Sequence, residues 1–349
     1  MVKSGEANFV RHQEFQRQLQ LALTEPGVPP GSALDVSFLT RYFALAGLPL
    51  RCPKDERSFV RNTDEFVLSI NAPDLGVLGG TPGEKFNVGV PYGAKARLLT
   101  VWLSTVAQDP NRSSNDRWFD IGPIKPWLQS IGINYNGDTP SEAKKQLIRL
   151  SFATFNMQVR RSGFDLFADS KLVEKIAFNE KDMDHYRCGN MKTVRWPVGV
   201  QITEAAFRLF RENAVAIPTQ RLEKVSHSAM AIDTFIYLCY RLPLIGPGDD
   251  ELVPWRTLAT QFGSREAPSK FKDHFLAPVG DVLDAYPEAK VEIRSEGLLL
   301  RHSDPVELRR AFVSMTGTAG QITQKRQRRN RLPLPQSLTA SYNAGKEAT

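Results

Sequence analysis

The sequence predicts an α+β fold made of two tandem winged-helix domains, with an N-terminal arm in front and a basic C-terminal tail behind. Apolar residues recur at helical spacing in two long segments, and each segment is followed by shorter helix patterns and then by strand patterns. A Pro-Trp pair marks the second helix of both sets, at residues 126–127 and 254–255. Three helices closed by a hairpin is the layout of a winged helix-turn-helix. The predicted segments are the arm with an irregular lead-in (1–87), the first winged-helix domain (88–215), the second (216–304) and a disordered tail (305–349).

The length and composition are those of an ordinary globular protein. The chain has 349 residues, of which 41% are hydrophobic and 24% charged, and this is enough for two hydrophobic cores. No apolar run approaches the roughly 20 residues that cross a bilayer, so no membrane partner is expected. The N-terminus lacks the apolar stretch of a secretory signal, and the three cysteines are odd in number and far apart. We therefore expect a cytoplasmic protein.

The N-terminal arm is predicted from Phe9, Phe15, Leu19 and Leu23, which stand at loosely helical spacing before the breaker at residues 25–31. Prolines and glycines are frequent from residue 48 to residue 89, which predicts the irregular lead-in. The first folded domain is therefore expected to follow it.

The first helix set begins between residues 92 and 108, where four apolar residues share one helix face: Leu99, Trp102, Leu103 and Val106. A strand pattern at WFDIG and a short helix follow. Thr139, Pro140 and Glu142 then have the pattern of an N-cap, a first-turn proline and a capping-box carboxylate, which predicts a third helix. Two strands, ATFNMQVRR and FDLFADSKLVEKIAF, are expected to turn at residues 162–163.

The second helix set follows the same order. Its long helix carries Ile232, Phe235, Ile236 and Cys239 on one face, and VPWRTLATQFG forms the next helix. A third helix starts near Pro268, and Pro278 is expected to break or kink it. KVEIR and GLLLRH alternate apolar and polar residues as a two-stranded hairpin does.

The net charge of +7 is concentrated in the tail, because Lys325, Arg326, Arg328, Arg329 and Arg331 supply five of these charges. The tail either binds DNA without specificity or keeps the protein soluble. Any argument for nucleic-acid binding must therefore rest on the position of cations within the folded part.

Two basic helices with following hairpins are the candidate DNA-binding sites. In the first helix, Ser141, Lys145 and Arg149 are spaced by four and share a face, which predicts a positively charged ridge. The first set of candidates is Thr139, Ser141, Lys144, Lys145, Arg149, Arg160 and Arg161. The second set, with a smaller charge surplus, is Ser269, Lys270, Lys272, His274, Arg294 and Arg301. Such cations would contact phosphates while a few side chains read base edges. The alternative reading of the first set is a solvated basic face.

Enzyme motifs are missing from the sequence. There is no phosphate-binding G-x-x-x-x-G-K-[ST] loop, and the five histidines are isolated, with no His-x-His pair for the metal of a DNA-nicking enzyme. His185 and Cys188 would make only half of a zinc site. We therefore expect no catalytic activity, no metal and no cofactor.

Several collinear blocks resemble the plasmid-encoded RepA replication initiators of Gram-negative bacteria. The blocks are PYGAKARLLTVWLSTVA, SAMAIDTFIYLCYRLP, VPWRTLATQFG and FKDHFLAPVGDVLDAYPEAKVEIRSEGLLLR, within residues 88–305. The resemblance implies an initiator that binds repeated sites (iterons) in double-stranded plasmid origin DNA, helps to open adjacent A·T-rich DNA, and recruits host DnaA and the replicative helicase. It also implies a homodimer that represses its own promoter.

Individual positions carry the same resemblance. Lys144, Lys145 and Arg149 match the family's first recognition helix, Lys270 and Lys272 match the second, and Arg97 stands where the family usually has arginine. The family has alanine and basic residues where this chain has Pro278, Gly280 and Asp281. Weaker DNA contact by the second helix is therefore expected. The alternative function is a DNA-binding transcriptional repressor without a replication role, which would use the same surfaces.

Overall fold

The computed structural model describes residues 36–303, with gaps at 64–65, 77–80, 110–111, 162–163, 179–180, 213 and 265–266. The side chains of residues 159–170 also lie outside the description. The predicted arm and tail are both outside the described residues. All described residues belong to one compact body. The predicted domain boundaries at 87/88 and 215/216 therefore remain predictions.

The first winged-helix unit begins with the long helix α2, and its elements follow in the order helix, strand, helix, helix, strand, strand. They are α2 (Gly93–Val106), β6 (Trp118–Asp120), α3 (Ile124–Ser130), α4 (Thr139–Phe152), β9 (Val173–Ile176) and β10 (Gly199–Ile202). The three strands form an antiparallel sheet in the order β6-β10-β9, with Val200 opposite both Phe119 and Ile176. This strand order is that of a winged helix, in which the last strand lies between the other two.

The hairpin predicted to follow α4 has another place in the fold. Its strands β7 (Thr154–Arg161) and β8 (Phe164–Lys171) pair with each other, and β7 also pairs with β3 (Phe66–Asn71). The result is a four-stranded sheet, β2-β3-β7-β8, whose first strand is β2 (Ser58–Asn62). The first predicted strand corresponds to β7, but the second, residues 164–178, is divided into β8 and β9, and β9 and β10 occupy the wing position of the first unit.

The prediction of an irregular lead-in is wrong for its described part. Besides β2 and β3, it contains β1 (Val36–Thr40), α1 (Arg41–Leu45), β4 (Asp74–Gly76) and β5 (Lys85–Asn87). Phe66, Leu68 and Ile70 alternate along β3 and are almost fully buried, and this apolar face stabilises the strand despite the neighbouring prolines and glycines. β1 pairs with β11 (Ala214–Pro218).

The second winged-helix unit has the predicted order of three helices and a hairpin, and it also contains a strand, β12 (Asp250–Pro254), that was not predicted from the sequence. The unit comprises α8 (Ala229–Arg241), β12, α9 (Trp255–Gln261), α10 (Pro268–Ala285), β13 (Val291–Ile293) and β14 (Gly297–Arg301). Its sheet order is β12-β14-β13. A Cβ on Gly297 would lie 2.0 Å from the Val253 carbonyl oxygen, so only glycine allows β14 to begin this close to β12. Pro278 does not end α10, which continues for seven residues beyond it.

Three α-helices and a short 3-10 helix (Leu242–Leu244) complete the described fold, the α-helices being α5 (Asp182–Arg187), α6 (Glu204–Glu212) and α7 (Thr219–Lys224). One hydrophobic core passes through both winged-helix units and includes Leu99 and Leu103 of α2 together with Phe235 and Ile236 of α8. No helix among the described residues is long and apolar enough to span a membrane.

A buried ion pair connects the first helices of the two units. Arg97 on α2 donates from Nε and Nη2 to the two carboxylate oxygens of Asp233 on α8, both at 2.6 Å, and also to the backbone oxygens of Leu48 and Pro49. Both side chains are at least 90% buried. A Cβ on Gly47 would lie 2.6 Å from Asp233 Oδ2, so glycine is required beside this pair. The arginine singled out by family resemblance therefore links α2 to α8.

Candidate nucleic-acid interface

Helix α4 begins at Thr139, one residue before the start that the predicted N-cap implies, and the predicted capping box is not formed. Asp138 occupies the N-cap position, and no side chain there bonds to the first backbone N–H groups. The Thr139 hydroxyl lies 3.3 Å from Asn136 Oδ1 instead. Glu142 is exposed in the first turn, where its charge complements the helix dipole.

Lys144 is not placed to contact DNA, which corrects its assignment to the basic ridge. Its side chain is buried, and Nζ donates to the backbone oxygens of Met191, at 2.9 Å, and Val194. Burial lowers the pKa of Lys144, and the nearby Asp182 carboxylate opposes that shift. A lysine bound in this way holds the loop between α5 and β10 against α4.

Arg149 is likewise buried, and its assignment as a DNA contact is also corrected. Its guanidinium donates to the Val90 backbone oxygen at 3.1 Å, to the Tyr186 hydroxyl at 3.3 Å and to the Glu56 carboxylate. Burial by itself lowers the pKa of Arg149, but Tyr186 and Glu56 outweigh it and the net shift is upward. A Cβ on Gly89, which has a φ of 83°, would lie within 3 Å of this guanidinium. Arg149 therefore joins α4 to the lead-in and to α5.

The covering segment, which we define as residues 177–198 between β9 and β10, explains both corrections. It includes α5 and packs along α4 through Tyr186 and through the carbonyl groups that bind Lys144. A helical wheel of α4 cannot show this, because the covering residues are more than 35 positions away in sequence. The predicted alignment of Ser141, Lys145 and Arg149 therefore does not produce one exposed ridge.

Only the first turns of α4 remain accessible. Thr139, Ser141 and Lys145 are partly exposed. Lys192 of the covering segment is 81% exposed and lies 3.6 Å from Asp138 at the start of the helix. Sequence reasoning missed Lys192 because it lies 40 residues beyond the helix. Arg160 and Arg161 end β7, and their side chains lie outside the described residues.

Helix α10 presents the more accessible basic surface. Phe271, Phe275, Val279 and Val282 form its buried stripe. Ser269, Lys270 and His274 are exposed on its first two turns, as the sequence predicted. Lys272 is partly buried, with Nζ 5.5 Å from the ring centre of Trp255, which is a cation–π contact. Arg256 on α9 is also exposed and was not among the predicted residues.

The hairpin of the second unit carries its two arginines in a network of ion pairs. Arg294 lies 2.9 Å from Glu292, and Arg301 lies 3.3 Å from Glu292 and 3.0 Å from Asp250. Hydrogen bonds from Arg294 are the main reason that the pKa of Glu292 is lowered. All four side chains are partly exposed, so phosphates could compete for the arginines at the cost of these pairs.

Two solved structures resemble the chain in three dimensions. One is a crystal structure of selenomethionine derivatives of domains 2 and 3 of RctB, with 9% identity, 73% of this chain and 94% of that chain covered, and a TM-score of 0.44. The other is a crystal structure of RctB domains 2–3, with 10% identity, 78% and 99% coverage, and a TM-score of 0.44. Because both TM-scores are below 0.5, the winged-helix assignment rests on the strand and helix order of this chain. No protein-family model matches the sequence, and no curated protein does.

Four tryptophans pack in or against the hydrophobic core: Trp102, Trp127, Trp196 and Trp255. Trp127 makes edge contacts with Trp102 and Trp196, at ring-centre distances of 5.0 and 5.6 Å. Trp255 is buried and makes an edge contact with Phe275.

Among the described residues, no three His, Cys, Asp or Glu side chains are grouped to hold a metal ion.

Proposed function

We propose that this protein is a plasmid replication initiator that binds repeated, double-stranded origin DNA, with α10 as its principal DNA-reading helix. The DNA-binding part of this proposal rests on the contrast between α10 and α4, which are the third helices of their winged-helix units. The first two turns of α10 expose Lys270 and His274, whereas Lys144 and Arg149 of α4 are buried. In a winged helix this third helix enters the major groove and the hairpin lies along the backbone.

The first unit contributes a smaller contact in this proposal. The partly exposed start of α4, with Thr139, Ser141 and Lys145, would meet phosphates together with Lys192. In the second unit Ser269 and Lys272 flank the reading face, and Arg294 and Arg301 would exchange carboxylate partners for phosphates.

The replication role is supported by the collinear blocks that resemble RepA initiators. On that basis the protein would open A·T-rich DNA beside its binding sites, recruit host DnaA and the replicative helicase, and form a homodimer that represses its own promoter. A repressor without a replication role would bind the same DNA, so binding data alone do not distinguish the two functions.

Two experiments test the proposal. Footprinting of the full chain on the DNA upstream of its own gene should protect repeated sites. Lys270→Ala should lower the slope of log K against log salt concentration by about one unit, because one phosphate contact is lost. Arg208→Ala, an exposed cation on α6, is the matched control and should leave the slope unchanged. Equal affinity for repeated and scrambled duplexes would contradict the DNA-binding proposal.

The replication role is tested by a plasmid that carries only this gene and its flanking repeats. Autonomous maintenance is expected, and its loss on Lys270→Ala should accompany the loss of binding. Failure of maintenance despite tight, repeat-specific binding would favour the repressor.

A further inference from the structure

Asp273 lies at the centre of the exposed face of α10. It follows the buried Phe271 by two residues, which is about 200° around a helix at 100° per residue. Ala277 and Gly280 lie on the same side of the helix and are also exposed. Their small side chains leave this ridge free to approach a groove, and Asp273 is the first acid on it.

The charge of Asp273 is not neutralised by an ion pair with another described residue. Three other acids of the second unit have ion-pair partners: Asp281 lies 3.3 Å from His227, Glu292 binds Arg294, and Asp250 binds Arg301. An exposed carboxylate in the middle of a basic surface that faces DNA is repelled by phosphates. It is tolerated there only where it meets a hydrogen-bond donor.

In the major groove the donors are exocyclic amino groups, namely N4 of cytosine and N6 of adenine, whereas guanine and thymine present acceptors. This inference rests on the proposed function. We propose that Asp273 is a specificity-determining residue, whose carboxylate accepts a hydrogen bond from the exocyclic amino group of a base, and of cytosine in preference to adenine. Lys270, one turn earlier, is placed to contact the adjacent guanine or phosphate.

The proposal predicts a change of base preference on substitution. Asp273→Asn should shift the preferred base from cytosine to adenine, because an asparagine amide pairs with both N6 and N7 of adenine. Asp273→Ala should abolish the preference, with a change in relative affinity on the order of tenfold at one position. Affinity for non-matching DNA should rise in both variants, since a negative charge has been removed.

The experiment is selection from a randomised duplex library with the full chain, its Asp273→Asn and Asp273→Ala variants, and Asp284→Asn as control. Asp284 is exposed on the same face three turns later, beyond the reach of a groove, so Asp284→Asn should select the wild-type sequence. Unchanged unfolding temperatures would show that the exposed substitutions leave the fold intact.

The outcomes separate this inference from the proposed function. If the wild-type chain selects a sequence but Asp273→Ala selects the same base at every position, the inference is overturned and the proposed function stands. Selection of the wild-type base pair by Asp273→Asn, at the position that Asp273→Ala affects, also overturns it. If the wild-type chain selects no sequence, both proposals fail.

Discussion

Replacement of Arg149 by alanine should destabilise the fold without changing the electrostatics of DNA binding. Arg149 and Lys145 lie one turn apart on α4, and the sequence places both on the same face. The structure buries Arg149 and leaves Lys145 partly exposed. Lys145→Ala is therefore the matched control for Arg149→Ala.

The expected magnitude follows from the partners that Arg149 would leave. The Val90 carbonyl and the Tyr186 hydroxyl would each lose a donor in a buried place, and an unsatisfied buried acceptor costs about 1–3 kcal/mol. The Tyr186 hydroxyl still donates a hydrogen bond to the Val88 carbonyl, so the cost at Tyr186 lies at the lower end of this range. The ion pair with the half-exposed Glu56 contributes about 0–1 kcal/mol. Arg149→Ala should therefore lower the free energy of unfolding by about 2–4 kcal/mol.

Two assays on the same preparations measure this prediction. Thermal unfolding should show a fall of about 3–8 °C for Arg149→Ala, at about 1.5–2 °C per kcal/mol, because the entropy of unfolding is about 2.1 cal/mol/K per residue. Lys145→Ala should change stability by less than about 0.5 kcal/mol. DNA affinity as a function of salt, measured where each variant is folded, should give the wild-type slope for Arg149→Ala.

Two results would refute the reasoning. A slope about one unit smaller in folded Arg149→Ala would mean that the guanidinium reaches a phosphate and that the covering segment moves aside when DNA binds. Wild-type stability of Arg149→Ala would mean that its buried hydrogen bonds do not hold α4 in place.

Further predictions concern the link between the units and the hairpin. Asp233→Asn should lower the free energy of unfolding by about 3–5 kcal/mol, because it leaves Arg97 as an uncompensated buried charge. The double variant Arg97→Met/Asp233→Leu should be more stable than Asp233→Asn, as measured by denaturant unfolding. Additive losses of stability in the double variant would contradict this prediction. Glu292→Gln should raise DNA affinity and make its dependence on salt concentration steeper, since it releases Arg294 and Arg301 from one partner. A salt dependence equal to that of the wild-type protein would show that the hairpin does not contact phosphates. Because the folded pKa of Glu292 is lowered, its stabilisation is present above the unfolded value near 4.3 and is lost as the pH falls through the folded value. Unfolding midpoints of wild type and Glu292→Gln should therefore differ at pH 6 and converge in acid.

Helices and their buried stripes could be predicted because they depend on local periodicity. Leu99 and Leu103 of α2, and Ile232 and Phe235 of α8, were placed on one helix face from their spacing alone, and they are buried. A residue every three or four positions faces one neighbour, and burial of that apolar stripe is the dominant contribution to the stability of such helices.

The pairing of β7 with β3 could not be predicted from local periodicity. The two strands are separated by more than 80 residues, and the lead-in between residues 48 and 89 has the proline and glycine content of a loop. Strand pairing over such a distance depends on which apolar faces meet, so local composition predicts it poorly.

The sequence by itself determined the order of the helices in both winged-helix units, the hairpin of the second unit, the apolar stripes that pack these helices and the presence of cations on both third helices. Only the tertiary structure decided which of these cations is accessible. Lys144 and Lys270 both lie in the first two turns of their helices, yet Lys144 is surrounded by carbonyl oxygens of the covering segment and Lys270 is exposed. The physical reason is that a cation's partners are chosen in space: carbonyl groups more than 40 residues away along the chain satisfy Lys144, and no local pattern records their approach.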